Sequence, residues 1–77
     1  MPRYYFQIHD GRTIPDPEGI ELPDMAAVRA EAISTAGEML RDLDGAMSGE
    51  EWRMEVTDEG GQLVLTLRFS ATDHAGF

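Results

Sequence analysis

The chain contains no cysteine, and its six strongly basic residues are all arginines, so lysine is absent as well. Without cysteine, disulfides and thiolate metal sites are excluded. The chain has 15 acidic residues and six arginines, so its net charge is −9. Because phosphate neutralisation needs a basic surface, this balance argues against nucleic acid and anionic membranes as partners.

Two sequence patterns are also missing. No stretch approaches the length of a transmembrane span, and the opening residues Met-Pro-Arg-Tyr-Tyr-Phe lack a signal-peptide pattern. We therefore expect a cytoplasmic protein. Its 77 residues make one small domain with a marginal core, for which self-association or a partner would be an added source of stability.

Residues 24–43 form the only stretch with a sustained helical period. Asp24 is a good N-cap, because its carboxylate can accept from the free N–H groups of the first turn. Arg29 projects into the apolar stripe. Its side chain either lies along the core edge with the guanidinium in water, or is held by the loop carboxylates Asp16, Glu18 or Glu21. The predicted apolar stripe consists of Met25, Val28, Ala32, Ile33, Ala36, Met39, Leu40 and Leu43.

Three stretches alternate as strands do, at residues 3–9, 51–57 and 62–69. The predicted order β-α-β-β indicates an α+β fold of two layers, with one helix packed on one face of a three-stranded, antiparallel sheet. Two strand orders are compatible. The third strand is central and all pairs are antiparallel, which we favour, or the first strand lies parallel beside the second.

The last two predicted strands form a hairpin. Parity places Val56 opposite Leu63, with Leu63, Leu65, Leu67 and Phe69 all inward, and favours a four-residue loop at 58–61. The same register predicts an exposed ion pair between Glu51 and Arg68.

Residues 10–23 read as a long connection rich in acids, and long loops in compact domains are often functional. Asp16, Glu18 and Glu21 are therefore secondary candidates for a binding surface, together with Arg29. Residues 1–69 are predicted to form the domain, and residues 70–77 to form a flexible tail.

One helix covers one side of a sheet, so the other side is a candidate surface. Tyrosine and arginine are enriched at binding hot spots, which singles out Tyr5, His9, Arg53 and Arg68 as candidate partner-binding residues. The alternative is a solvated face crossed by ion pairs.

No nucleophile lies near a base in the sequence, and the glycines make no phosphate loop. We expect no enzyme activity, no cofactor and no metal site. The expected function is a non-catalytic protein–protein interaction module, or a small homodimer, that binds through the open sheet face. A small-ligand or metal-binding protein is an alternative.

Three motifs resemble a family of short, uncharacterised bacterial proteins. They are Arg3-Tyr-Tyr-Phe6, Asp16-x-Glu-Gly-x-Glu-Leu-Pro-Asp24 and the hairpin from Glu55 to Phe69. The resemblance implies a stand-alone bacterial domain and brings no activity. A strand and an acidic loop ahead of an Ala/Glu helix also resemble HicB-type antitoxins, although only one strand precedes the helix here and no DNA-binding segment follows.

Overall fold

A computed structural model describes residues 1–10, 13–42, 51–70 and 74. Within these ranges one helix packs against one side of an antiparallel sheet, so the predicted two-layer α+β class is confirmed. In chain order the elements are β1 (Arg3–His9), β2 (Thr13–Ile14), β3 (Ile20–Glu21), α1 (Met25–Asp42), β4 (Glu51–Thr57) and β5 (Leu63–Ser70).

The sheet has five strands, and the predicted number of three is wrong. The additional strands β2 and β3 lie inside the predicted connection, and both pair antiparallel with the same edge of β1. Each has only two residues, which is too short for an alternation of apolar and polar residues to show in the sequence.

The favoured strand order, with the third predicted strand central, is wrong, but its prediction that all pairs are antiparallel is confirmed. The alternative order correctly placed the first predicted strand beside the second, but predicted a parallel pair, which is wrong. β4 lies between β1 and β5, and it is antiparallel to each. The reason is the returning segment, because β3 places Glu21 beside Arg3 at the start of β1. The helix therefore begins at that end and runs about 27 Å back toward the end of β1. A strand that starts from there is antiparallel to β1.

The hairpin register is shifted by two residues from the prediction. Val56 pairs with Leu65, and a bulge places Leu63 opposite Thr57. Leu63 is 51% exposed, so its predicted inward position is wrong. The turn holds residues 58–62, because the Oδ1 of Asp58 accepts from the N–H groups of Gly60 and Gln62, both at 2.9 Å.

The helix begins as predicted at its N-cap. The Oδ1 of Asp24 accepts from the N–H of Ala27 at 2.9 Å. The apolar stripe is narrower than predicted, since Ile33 is 57% exposed and is not part of the core. Leu43, the last predicted stripe residue, lies outside the described residues.

The core lies between the helix and the inner faces of β1 and β4. Trp52 of β4 also meets Phe69 of β5 edge to face, with ring centroids 5.4 Å apart. Apolar burial at this layer interface is the main force that holds the helix on the sheet. The buried residues are Tyr4, Phe6, Ile8, Val28, Ala32, Ala36, Trp52, Met54 and Val56.

The predicted tail at 70–77 begins one residue too early, because Ser70 is the last residue of β5. His74 is exposed, and the rest of the predicted tail lies outside the described residues.

Candidate binding surface

The side of the sheet away from the helix, here called the open face, carries the polar residues of β1, β4 and β5. His9 pairs with Arg53, and Arg53 pairs with Arg68. Directly opposed residues in an antiparallel sheet share a face. Three of the four predicted partner-binding residues therefore form one row across three neighbouring strands, here called the basic row.

Glu55 lies beside the basic row on β4. Its Oε1 is 2.9 Å from Nε2 of His9, and its Oε2 is 3.4 Å from Nε of Arg53. The carboxylate thus bridges two of the three basic side chains. On the other side of His9, Nδ1 lies 3.1 Å from the Thr13 hydroxyl of β2.

Neither contact of Glu55 has the geometry of a hydrogen bond. Nε2 of His9 and Nε of Arg53 are buried atoms that make no hydrogen bond within the described part of the chain. Both distances are short, but neither contact meets the angular requirement of a hydrogen bond. These two nitrogens are buried, but 35% of the Arg53 side chain is exposed and remains accessible to another carboxylate.

Arg68 forms the exposed end of the basic row, with 65% of its side chain accessible. Its Nε is 3.6 Å from Oε1 of Glu51. The predicted ion pair is confirmed, although the two residues are diagonal neighbours and Glu51 pairs directly with Ser70. An exposed pair at this distance is worth about 0–1 kcal/mol, so Arg68 can exchange it for another carboxylate.

Tyr5, the fourth predicted residue, is not part of the basic row. It pairs with Thr57, and its ring lies against the backbone of Gly19. A Cβ on Gly19 would be 2.9 Å from ring atoms of Tyr5, and the φ of +70° also favours glycine. The acidic loop therefore covers part of this ring.

The loop acids have structural contacts. Oδ2 of Asp16 accepts from the N–H of Phe6 at 3.1 Å, and its Oδ1 accepts from Gly19 at 3.1 Å. Arg3 donates to the carbonyl of Glu18 at 2.8 Å and to Oε1 of Glu21 at 3.0 Å. Asp16 and Glu21 thus fasten the loop to β1, and the side chain of Glu18 remains exposed.

Arg29 is exposed on the helix. Among the described acidic residues, none lies within 4.0 Å of its guanidinium. The structure therefore does not show the predicted alternative in which loop carboxylates hold Arg29. Arg3 is the arginine that this loop holds.

Glu55 was not among the candidate residues, although it lies at the centre of the site. Its period-two position on the open face was readable from the sequence. The missing information was the pairing of β4 with β1, which puts Gln7 opposite Glu55 and His9 opposite Arg53.

The fold and surface define a two-layer α+β domain with an open, mixed-charge sheet face. Among the described residues, no helix has both the length and the apolar character needed to cross a membrane. The chain belongs to the DUF6894 family, a domain of unknown function, whose model matches residues 3–70. This agrees with the resemblance to a family of uncharacterised proteins. Searches of curated proteins and of solved structures found no match.

Proposed function

We propose that this protein is a non-catalytic interaction module whose open face binds an acidic segment of a partner protein. The basic row carries the proposal. It gathers His9, Arg53 and Arg68 on three adjacent strands of a chain whose net charge is −9.

The geometry of the basic row suits carboxylates. Neighbouring strands are about 4.8 Å apart, so the row is about 10 Å long from β1 to β5. The two arginines lie on adjacent strands, so an extended segment with two acidic side chains can reach both. Arginine forms two parallel hydrogen bonds with a carboxylate, which gives such a segment a defined orientation.

The resident carboxylates set the conditions for binding. Glu55 holds His9 and Arg53 without hydrogen-bond geometry, and Glu51 holds Arg68 by an exposed pair. A partner carboxylate can reach the exposed parts of Arg53 and Arg68, whose side chains are 35% and 65% accessible, and can form charge-assisted hydrogen bonds with them. Because the rest of the chain is acidic, the partner must present its negative charge locally, at the row. We place this interaction in the cytoplasm.

Co-purification from native cells identifies the partner, and purified components then test the surface. The tagged full chain is captured with and without nuclease, and the recovered partner is titrated against the pure protein. Arg53→Glu combined with Arg68→Glu should weaken this binding at least about tenfold, since one charge-assisted hydrogen bond contributes about 1.5–3 kcal/mol.

The control is Arg29→Glu combined with Arg41→Glu. Both arginines are exposed on the helix, and the change in net charge is the same. The control should keep its affinity, and both double variants should keep a melting temperature close to that of the wild type. Equal losses in the two double variants, or wild-type affinity in Arg53→Glu/Arg68→Glu, would overturn the proposal.

A further inference from the structure

β5 is the edge strand of the sheet and, with eight residues, its longest strand. One side pairs with β4, and within the described ranges no strand pairs with the other side. An open edge presents a line of N–H and C=O groups that can pair with another strand. The sequence of this edge, Leu63-Val-Leu-Thr-Leu-Arg-Phe-Ser70, has a single charge.

The direction of the backbone groups follows from pairing parity. The N–H of Phe6 points to Asp16, on the side of β1 away from β4. Successive residues of a strand direct their N–H and C=O groups to opposite sides, and two opposed residues of an antiparallel pair direct theirs either toward each other or away from each other. Phe6 and Val56 therefore point away from each other, and Val56 and Leu65 point toward each other. Because residues alternate along β5, the N–H and C=O groups of Thr66 and Arg68 point away from β4, toward the free edge.

The inner face of β5 is also incompletely covered. The inward residues of β1 and β4 are 0–9% exposed, whereas Leu65, Leu67 and Phe69 are only partly buried. β5 therefore combines an unpaired backbone edge with a partly exposed apolar strip, formed by Leu65, Leu67 and Phe69. A partner for this strand must supply backbone groups in the sheet plane and apolar side chains on the helix side.

We propose that the occupant of this edge is β5 of a second copy of the chain, paired antiparallel about a two-fold axis at Thr66. Such a dimer has one continuous sheet, with both helices on the same side. On the inner face, Leu65 of each copy lies opposite Leu67 of the other. The partly buried apolar side chains of the two β5 strands therefore cover each other. An isologous contact of this kind is closed, and it does not propagate into fibres.

Thr66 lies near the middle of β5, and charge disfavours the registers centred closer to Arg68. Pairing about Thr66 places Arg68 opposite Val64 of the second copy, with the two Arg68 residues about 14 Å apart along the strands. Pairing about Arg68 would set like charges directly opposite each other, and pairing about Leu67 would make them diagonal neighbours. Both alternatives are less favourable. The proposal does not rest on the function assigned to the open face, because it depends on the backbone edge and the inner side chains of β5; Arg68 contributes its side chain to the face and its backbone to the edge.

Light scattering on the full chain over a range of concentrations gives the first test. The wild type should approach twice the 8.5 kDa monomer mass as concentration rises. Thr66→Pro removes an edge N–H that β4 does not use, and proline is tolerated on edge strands, so this variant should fold and stay monomeric. Thr66→Val keeps the N–H and should dimerise like the wild type.

Cysteine crosslinking gives a second test that does not depend on proline. The chain has no cysteine of its own, so a single Thr66→Cys variant reports one position. Opposed Cα atoms of a hydrogen-bonded antiparallel pair are about 5.5 Å apart, within the range of a disulfide. The control is Gln7→Cys, because Gln7 lies on the same face of the sheet as Thr66 but on β1, away from the β5 edge. Mild oxidation should crosslink Thr66→Cys much faster.

Three results would overturn the inference. The first is a wild type that stays monomeric at every concentration. The second is a folded Thr66→Pro variant, checked by circular dichroism, that still dimerises. The third is crosslinking of Thr66→Cys no faster than that of Gln7→Cys.

Discussion

The two edges of the sheet differ in how much of their backbone is paired within the chain. At the β1 edge, β2 pairs with the end of the strand, β3 pairs with its start, and Asp16 bonds the N–H of Phe6 between them. At the β5 edge, the described residues provide one bulge near the hairpin and the single charge of Arg68.

The two edges differ in how the backbone N–H and C=O groups obtain hydrogen-bond partners. An unpaired N–H that is removed from water costs about as much as a lost hydrogen bond, so the β1 edge needs each of its local partners. The β5 edge can be satisfied by solvent or by another strand. One edge is therefore closed by the chain itself, and the other is left unpaired by the residues that the structure describes.

The largest expected effect tests how tightly the β1 edge is closed. Gly19→Ala places a Cβ 2.7 Å from the carbonyl oxygen of Tyr4 and forces alanine to a φ of +70°. We expect a loss of about 2–4 kcal/mol in the free energy of unfolding, measured with urea. Both the backbone strain and the displaced loop contribute.

Gly37→Ala is the matched control for this prediction. Gly37 lies in the helix, and nothing would lie within 4 Å of an added Cβ. This substitution should stabilise the protein by about 0.5–1 kcal/mol, because alanine has the higher helix propensity. Equal stability of Gly19→Ala and the wild type would show that the loop does not approach β1 as closely as described.

The next effect concerns the carboxylate that bridges the gap between β2 and β3. Asp16→Ala leaves the N–H groups of Phe6 and Gly19 without their acceptor. The expected loss is about 1–3 kcal/mol in the free energy of unfolding. Glu18→Ala, on an exposed side chain of the same loop, should change stability by less than about 0.5 kcal/mol. If both variants lose the same amount, Asp16 does not hold this edge.

The contrast between the edges also explains what could be predicted from the sequence. The long elements were predictable, since β1, α1, β4 and β5 repeat their apolar residues over seven or more positions. The strand order was left between two alternatives, because it depends on the end of the sheet at which the chain enters the helix. That point is set by the two residues of β3 and by single hydrogen bonds of Asp16.

The candidate site, too, was predictable only in part from the sequence. Alternation alone placed His9, Arg53 and Arg68 on one face. Their alignment in one row required the register between strands, which the turn at Asp58 and the bulge beside Thr57 shift by two residues. Ile33 shows a further limit, because the helical period gives the centre of the buried stripe more accurately than its width.

The smallest expected effect compares one arginine from each edge. Arg3 donates to two carbonyls and to Glu21, whereas Arg68 has, among the described residues, a single ion pair, the diagonal one with Glu51. At equal chain concentration, Arg3→Ala should lower the free energy of unfolding by about 1 kcal/mol and Arg68→Ala by less than about 0.5 kcal/mol. Raising the salt concentration should reduce the second loss more, since the contacts of Arg3 to carbonyl groups are less screened than an exposed ion pair. A larger loss for Arg68→Ala would mean that the β5 edge, like the β1 edge, depends on its arginine for stability.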